Sequence, residues 1–135
     1  MITNICIEGI DKTGKNIIAE YVKILSNHKY TVFDRGILSE LTYSRMFNRN
    51  CQYDLIPYKN FVIVYLTVDK EDWKVRCKLT NEKLINFEEN LNNFDITASQ
   101  LEHDEFIIKR FNTSIETPYQ IAKKIIEFME NLNLR

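Results

Sequence analysis

The sequence predicts a three-layer α/β fold, with a parallel sheet of about four strands and helices on both faces. Apolar runs typical of buried strands alternate with helical segments along the chain. The run at residues 61–66, Phe-Val-Ile-Val-Tyr-Leu, is continuously apolar, as expected of a strand covered on both faces. The run at 2–8 leads through a glycine-containing turn into a helical segment, which is the βα unit of such folds.

The first half of the chain is predicted to form two strand–helix pairs. Residues 2–8 are predicted to be a strand and residues 30–34 a second one, rich in β-forming side chains. Residues 39–47 suit a helix, with Ser39 as its N-cap. Residues 15–26 are predicted to form a helix whose inner face carries Ile17, Ile18, Tyr21, Val22 and Leu25.

The second half continues the alternation after the strand at 61–66. A charged helix is predicted at 71–79 and a second helical region at 82–92, followed by a short strand that begins at 106–108. Thr117 and Pro118 then open a final helix, with threonine as the cap and proline in the first turn. The inner face of this helix is predicted to be Ile121, Ala122, Ile125, Ile126 and Met129.

Composition limits the classes of function. The 135 residues are the length of one domain, 1–135, and 44% are hydrophobic, enough for a core. With 18 basic and 19 acidic residues, attraction to nucleic acid or to a membrane is not expected. No apolar stretch approaches the roughly 20 residues of a spanning helix. The N-terminus lacks signal-peptide features, so a cytoplasmic location is expected. No metal-ligand spacing involves Cys6, Cys51 or Cys77.

The turn after the first strand has the spacing G-x-x-x-x-G-K of a phosphate-binding loop. Backbone N–H groups that converge from such a loop bind phosphate, and the following helix adds the positive end of its dipole. Its glycines allow close approach of the backbone, and Lys15 supplies a charge for the β- and γ-phosphates. Contacts to ATP are therefore predicted from Gly9, Ile10, Asp11, Lys12, Thr13, Gly14, Lys15 and Asn16.

Two residues are candidate ligands of Mg²⁺. Asn16 stands where such loops usually carry Ser or Thr, and its amide oxygen is a less usual ligand for this hard cation. Asp34 ends the second strand, at the position where P-loop enzymes have an acidic residue beside the metal. Arg35 follows directly and is suited to bidentate binding of phosphate.

Further charged residues follow the strand at 61–66. Lys74 and Lys78 share a helical face, while Arg76 points elsewhere. A cation here can close over a transferring phosphoryl group. For each of these three residues, a side chain that is simply solvated on the surface of the helix is an equally favoured interpretation. Within the loop, Asp11 would be repelled by phosphate unless it faces a sugar hydroxyl or a cation, which places a second substrate beside it.

These segments together resemble the thymidylate kinase family of P-loop nucleotide kinases, including its small phage-type members. The loop with its preceding Glu8 is similar to the family's loop. Residues 34–43, Asp-Arg-Gly-Ile-Leu-Ser-Glu-Leu-Thr-Tyr, resemble the family's D-R-x-x-x-S segment followed by an aromatic residue. Residues 64–69, with Arg76 behind them, resemble the strand that leads into the lid, and residues 111–114 resemble the adenine-side loop.

The resemblance implies a P-loop kinase fold and transfer of the γ-phosphoryl group of ATP, with Mg²⁺, to a small (deoxy)nucleoside monophosphate. By that resemblance Asp11 faces the acceptor's 3′-hydroxyl and Arg35 its phosphate. It implies catalytic roles for Lys12, Lys15, Asp34, Arg35 and Arg76. Acceptor binding is implied for Asp11, Arg35, Ser39 and Tyr43.

The chain departs from the family pattern on the acceptor side. The strand and helices that the family inserts before its D-R motif are missing, and Lys29 leads almost at once into that strand. The acceptor pocket is then truncated, or rebuilt from Phe47, from Tyr53 or from a second subunit of a homodimer. Two alternatives stay open: a nucleotide-binding protein with weakened catalysis, and a kinase that acts on a nucleoside or a polynucleotide 5′-end.

Overall fold

The computed structural model describes residues 1–10, 12–49, 54–79 and 86–134. Four parallel strands form one sheet in the order β2-β1-β3-β4. Their bounds are Asn4–Glu8 for β1, Thr31–Asp34 for β2, Phe61–Thr67 for β3 and Ile107–Asn112 for β4. The predicted parallel sheet of about four strands is confirmed.

Helices cover both faces of this sheet. They are α1 (Lys15–Leu25), α2 (Ile37–Met46), α3 (Lys70–Leu79), α4 (Phe87–His103) and α5 (Pro118–Asn133), with a short 3-10 helix at Ile56–Asn60. One core cluster joins α1 and α5 to the sheet, and a second joins α2, α3 and α4 to it. The predicted three-layer α/β fold is therefore confirmed. None of the helices in the described ranges is long and apolar enough to cross a bilayer.

The sheet explains the apolar pattern of the sequence. Every residue from Val62 to Leu66 is fully buried, because β3 lies inside the sheet and helices cover both of its faces. β2 is the edge strand beside β1, and most of its residues are exposed. Parallel pairing brings the carboxyl ends of all four strands, and the turns that follow them, to one edge of the sheet.

Two predictions about helices differ from the structure. α2 begins at Ile37, so Ser39 lies buried inside its first turn instead of capping it. Gly36 occupies the N-cap position and has no side chain that could accept a hydrogen bond from the first turn. On α1 the buried residues are Ile18, Ala19 and Val22, whereas three residues of the predicted inner face are well exposed, namely Ile17, Tyr21 and Leu25.

The later elements follow the prediction more closely. Thr117 and Gln120 form a capping box at the start of α5, with Pro118 in the first turn. Four of its predicted inner residues are buried, and Ile126 is half-buried. The helix predicted at 82–92 instead begins at Phe87 and runs to His103, while residues 80–85 lie outside the described ranges.

Candidate functional site

The turn between β1 and α1 requires both of its glycines. Gly9 has φ of 147°, and a Cβ there would collide with the backbone carbonyl oxygen of Leu66 on β3. Gly14 has φ of 84°, in the left-handed region, immediately before the first residue of α1. Both conformations are costly for residues with a side chain. The backbone therefore curls tightly over the end of β1, as a phosphate-binding loop must.

Polar side chains brace this loop from within. The Thr13 hydroxyl donates to the Ile10 carbonyl at 3.0 Å. The Lys15 ammonium donates to the carbonyls of Gly9, at 3.1 Å, and Ile10, at 3.0 Å. The charge of Lys15 is thereby held directly over the loop. Asp11, predicted to contact both ATP and the acceptor, lies outside the described residues.

A cavity of about 470 Å³ opens in front of the loop. Asp34 reaches it because β2 pairs in parallel with β1, with Asp34 opposite Ile7. Three cationic side chains and one carboxylate line the cavity, so it favours anions. Its lining residues are Lys12, Gly14, Lys15, Asn16, Ile17, Asp34 and Arg35. Six of the predicted site residues therefore lie together around one cavity.

A larger cavity, of about 660 Å³, lies along α4. Its lining comprises Asp95, Ile96, Ser99, Gln100, His103 and Asp104, which include two carboxylates and neither lysine nor arginine. Volume alone does not identify a phosphate site, because the anion needs cations and converging N–H groups. The smaller cavity at the loop has the cations, and the N-terminus of α1 lies beside it.

A fully buried carboxylate lies beneath this site. Glu8 Oε1 accepts hydrogen bonds from the backbone N–H groups of Gly36 and Ser39, both at 2.8 Å, and Oε2 accepts one from Leu38 at 3.2 Å. Glu8, the last residue of β1, thus caps the N-terminus of α2. Burial raises the pKa of Glu8 above its ordinary value, while the three N–H bonds oppose that rise. Sequence reasoning did not assign Glu8 this role.

The chain also presses closely against β1 at the Asp34–Arg35 corner. The Arg35 N–H donates to the Ile7 carbonyl at 3.1 Å, and Arg35 adopts a left-handed φ of 70°. A Cβ on Gly36 would lie 2.8 Å from the sulfur of Cys6, so glycine is needed there. Cys6 is a buried thiol, and burial, aided by the charge of Glu8, raises its pKa to about 12.

Ser39 and Tyr43, predicted to bind the acceptor, lie outside the cavity lining. Ser39 is buried, and its hydroxyl lies beside the Glu8 carboxylate, where it helps to lower the pKa of Glu8 against the rise that burial causes. Tyr43 is half-buried on α2, where its ring meets Phe94 edge-on at 5.7 Å and stacks on Phe47 at 6.3 Å. Tyr53, a candidate to rebuild the pocket, lies outside the described ranges.

Arg76 on α3 joins three segments at the other side of the loop. It donates to the Lys12 carbonyl at 2.7 Å and to the Thr113 hydroxyl at 3.0 Å, and a second nitrogen donates to the Thr113 carbonyl at 3.3 Å. The Thr113 hydroxyl in turn donates to the Thr67 carbonyl at the end of β3. Arg76 therefore holds the phosphate loop against the turn between β4 and α5.

The same turn is closed by a ring of hydrogen bonds. The Asn112 amide donates to the Asp69 carboxylate at 3.0 Å, and the Asp69 N–H donates to the Ser114 hydroxyl at 2.8 Å. The Ser114 N–H donates back to the Asn112 side-chain oxygen at 2.8 Å. The sequence points to residues 111–114, whereas their hydrogen bonds with Asp69 are visible only in the structure. Trp73 on α3 is buried against Phe87.

Asn16 and Asp34 are the predicted metal ligands, and both are exposed at the same cavity. Within the described ranges, no group of three His, Cys, Asp or Glu residues could hold a metal ion. Mg²⁺ usually keeps several waters and takes one or two carboxylates together with substrate phosphates. Two oxygen-bearing side chains beside a phosphate-type cavity fit an ion held in that way.

Comparison with protein-family models and with curated protein sequences gives no match. Among solved structures, the crystal structure of the YorR protein from Bacillus subtilis in complex with phosphorylated GDP is similar to this chain, with a TM-score of 0.76. The two chains are 18% identical, and the match covers 98% of this chain and 99% of YorR. The likeness supports the fold over almost the whole length of the chain.

Proposed function

We propose that this protein transfers the γ-phosphoryl group of ATP to a small (deoxy)nucleoside monophosphate, as thymidylate kinases do. The observation that carries the proposal is the cavity in front of the loop, where Lys12, Lys15 and Arg35 face Asp34. Because phosphoryl transfer depends on positioning and on neutralising charge, this combination suits it. The fold shared with YorR, whose structure contains phosphorylated GDP, adds support.

The loop and α1 serve the donor. Backbone N–H groups around Gly14 and the N-terminus of α1 bind the β- and γ-phosphates, and Lys15 leaves its loop carbonyls to neutralise their charge. Arg76 holds the loop at a fixed distance from the turn at Thr113, which lies on the adenine side. Lys12 adds a second cation beside the transferred group.

The acceptor lies on the side of Asp34 and Arg35. Arg35 binds its phosphate, and Asp11 binds the sugar hydroxyl. An oxygen of the acceptor phosphate forms the new P–O bond while the bond to the leaving ADP breaks on the opposite side of the phosphorus. The attacking oxygen is already ionised, so no general base is needed. Neither Ser39 nor Tyr43 lines the cavity, so neither is assigned a contact with the acceptor.

Mg²⁺ bound with ATP would be held through Asp34 and Asn16, and it would neutralise charge on the phosphates. Aspartate is a usual ligand for this ion, whereas the Asn16 amide is a weaker donor than the usual hydroxyl. Turnover is therefore expected to be slower than with Thr at this position, and Asn16→Thr should raise it.

The test is an assay of ADP and of the diphosphate product with ATP, Mg²⁺ and each common (deoxy)nucleoside monophosphate in turn. Turnover with at least one acceptor is expected, and Lys15→Ala should reduce it by about 100-fold or more. Lys23→Ala, an exposed lysine on the same helix, is the matched control and should leave turnover unchanged. Turnover no higher than that of Lys15→Ala, for every acceptor, would reject the proposal.

A second candidate function is nucleotide binding without turnover, and Asn16 favours it. Titration calorimetry separates the two, because this function requires binding of ATP or of the acceptor with no product. If Asn16→Thr then creates activity, ligation of the metal is the defect. Failure to bind any nucleotide would reject both functions.

A further inference from the structure

The corner that follows β2 is attached to β1 at two points. The Arg35 N–H donates to the Ile7 carbonyl at 3.1 Å, which continues the pairing of β1 with β2. The N–H groups of Gly36 and Ser39 then donate to the Glu8 carboxylate, each at 2.8 Å. Arg35 therefore lies between a main-chain attachment to one residue of β1 and a side-chain attachment to the next.

The backbone between these two attachments is strained. Arg35 has φ of 70°, in the left-handed region, which a residue with a side chain adopts only at a cost in free energy. Such a conformation persists where the surrounding contacts over-determine it. Here the chain has to turn at Arg35, because its own N–H bonds to β1 and the N–H groups that follow converge on Glu8. The contacts that hold this turn therefore also set the direction in which the Arg35 side chain leaves the backbone.

Apolar contacts alone do not fix this geometry. Ile37 and Leu38, in the first turn of α2, are buried in the core, but apolar packing is non-directional. The hydrogen bonds to Glu8 are directional, and the residue that accepts them is 0% exposed, so water does not compete for its carboxylate. Loss of that carboxylate would leave the N–H groups of Leu38 and Ser39 buried away from water.

We propose that Glu8 is a positioning residue for the acceptor phosphate. Glu8 is not among the residues that line the cavity, and it acts through Arg35, which is. This inference rests on the proposed function, which assigns the acceptor phosphate to Arg35. The donor side of the loop is held separately, by the hydrogen bonds of Lys15 and Arg76, so loss of Glu8 should leave affinity for ATP unchanged.

Titration calorimetry with nucleoside monophosphates tests the proposal without depending on turnover. Glu8→Ala should weaken binding of the acceptor by about tenfold or more, because a small displacement of a positioned group is costly. Glu8→Gln keeps a carbonyl oxygen for the N–H groups of Gly36 and Ser39 but turns an amide NH₂ toward that of Leu38. It should therefore restore part of the affinity and bind about threefold more weakly than the parent.

Met129→Ala separates positioning from a general loss of stability. Met129 is fully buried on α5, and its truncation should destabilise the fold to an extent comparable with Glu8→Ala. It should nevertheless leave acceptor affinity unchanged. Circular dichroism at the temperature of the titration establishes that each variant is folded, and Glu8→Gln carries the test if Glu8→Ala is not. Equal losses of acceptor affinity in Met129→Ala and the Glu8 variants would overturn the proposal.

A double-mutant cycle shows whether Glu8 acts through Arg35. In an Arg35→Ala background, the Glu8 substitution should have little further effect on acceptor affinity. Additive losses, or equal acceptor affinity in the parent and the Glu8 variants, would overturn the proposal. A parent that binds an acceptor but forms no product would reject the proposed function, and the cycle would still decide the role of Glu8. A parent that binds no nucleoside monophosphate would overturn both.

Discussion

The two sides of the phosphate loop are held in different ways. On one side, Arg76 and the ring around Asp69 connect the loop to the ends of β3 and β4 through side chains that are themselves at the surface of the site. On the other, Asp34 and Arg35 are exposed, and the corner that carries them is held from below by the buried Glu8.

The difference separates structural from ligand-facing residues. Arg76 has a structural role in addition to any contact with phosphate, so its loss changes both stability and binding. Arg35 lines the cavity and its backbone N–H is bonded to the Ile7 carbonyl, so the loss of its side chain is expected to change binding more than stability.

The largest effect is expected from Glu8→Ala. It leaves three buried N–H groups at the start of α2 without an acceptor, and each such loss costs about 1–3 kcal/mol. We expect the free energy of unfolding to fall by about 3 kcal/mol, measured by urea denaturation. Glu20→Ala, which removes an exposed carboxylate paired with Lys23, should change it by less than about 0.5 kcal/mol. Similar losses in the two variants would show that Glu8 does not hold the corner.

Glu8 should also give stability a distinct dependence on pH. Because its folded pKa is raised above the ordinary 4.5, its contribution is complete below that value and is lost as pH rises through the raised pKa. Glu8→Gln cannot titrate, so the parent's free energy of unfolding should fall relative to that of the variant with rising pH, by at most about 1.4 kcal/mol per pH unit. A relative rise would mean that the three N–H bonds outweigh burial.

Arg76→Met keeps the apolar stem and removes the guanidinium. The hydrogen bonds to the Lys12 carbonyl and to Thr113 are lost, so we expect a decrease of about 2 kcal/mol in the free energy of unfolding and weaker binding of ATP. Lys74→Met on the same helix, which loses only an exposed pair with Glu71, is the control. An unchanged melting temperature for Arg76→Met would show that Arg76 has no structural role.

Gly36→Ala tests how closely the Asp34–Arg35 corner must approach β1. The new Cβ would lie 2.8 Å from the Cys6 sulfur, and we expect a loss of about 1–2 kcal/mol from the resulting shift. In a Cys6→Ala background the contact with sulfur is removed and only the 3.3 Å contact with the Cβ of residue 6 remains, so Gly36→Ala should cost less there, and a double-mutant cycle measures the coupling. Additive effects would show that the corner relaxes without strain.

The smallest effect on stability is expected from Arg35→Gly. Arg35 has φ of 70°, a conformation that glycine adopts without strain, so we expect the free energy of unfolding to stay equal or to rise by up to about 1 kcal/mol. The KM of the acceptor should rise by about tenfold or more, while affinity for ATP is retained. A clear loss of stability would place Arg35 among the structural residues, beside Arg76.

Local patterns in the sequence predicted the parts of the molecule that local chemistry controls. The phosphate loop follows from two glycines and a lysine, and the start of α5 follows from Thr117 and Pro118. Periodicity could not choose between the two apolar stripes of α1, because both have helical spacing. The N-cap preference of serine placed the start of α2 at Ser39. The structure instead begins α2 at Ile37, and the cap comes from Glu8 on β1.

The sequence by itself therefore determined the strand–helix alternation and the tight glycine turn between β1 and α1. Tertiary structure alone decided that Glu8 lies beneath the Asp34–Arg35 corner, that Arg76 joins the loop to Thr113, and that one stripe of α1 remains exposed. The physical reason is that these contacts join residues 28 to 64 positions apart, as in the pairs Glu8–Gly36 and Arg76–Lys12. The order β2-β1-β3-β4 brings such residues together, and local patterns do not encode that order.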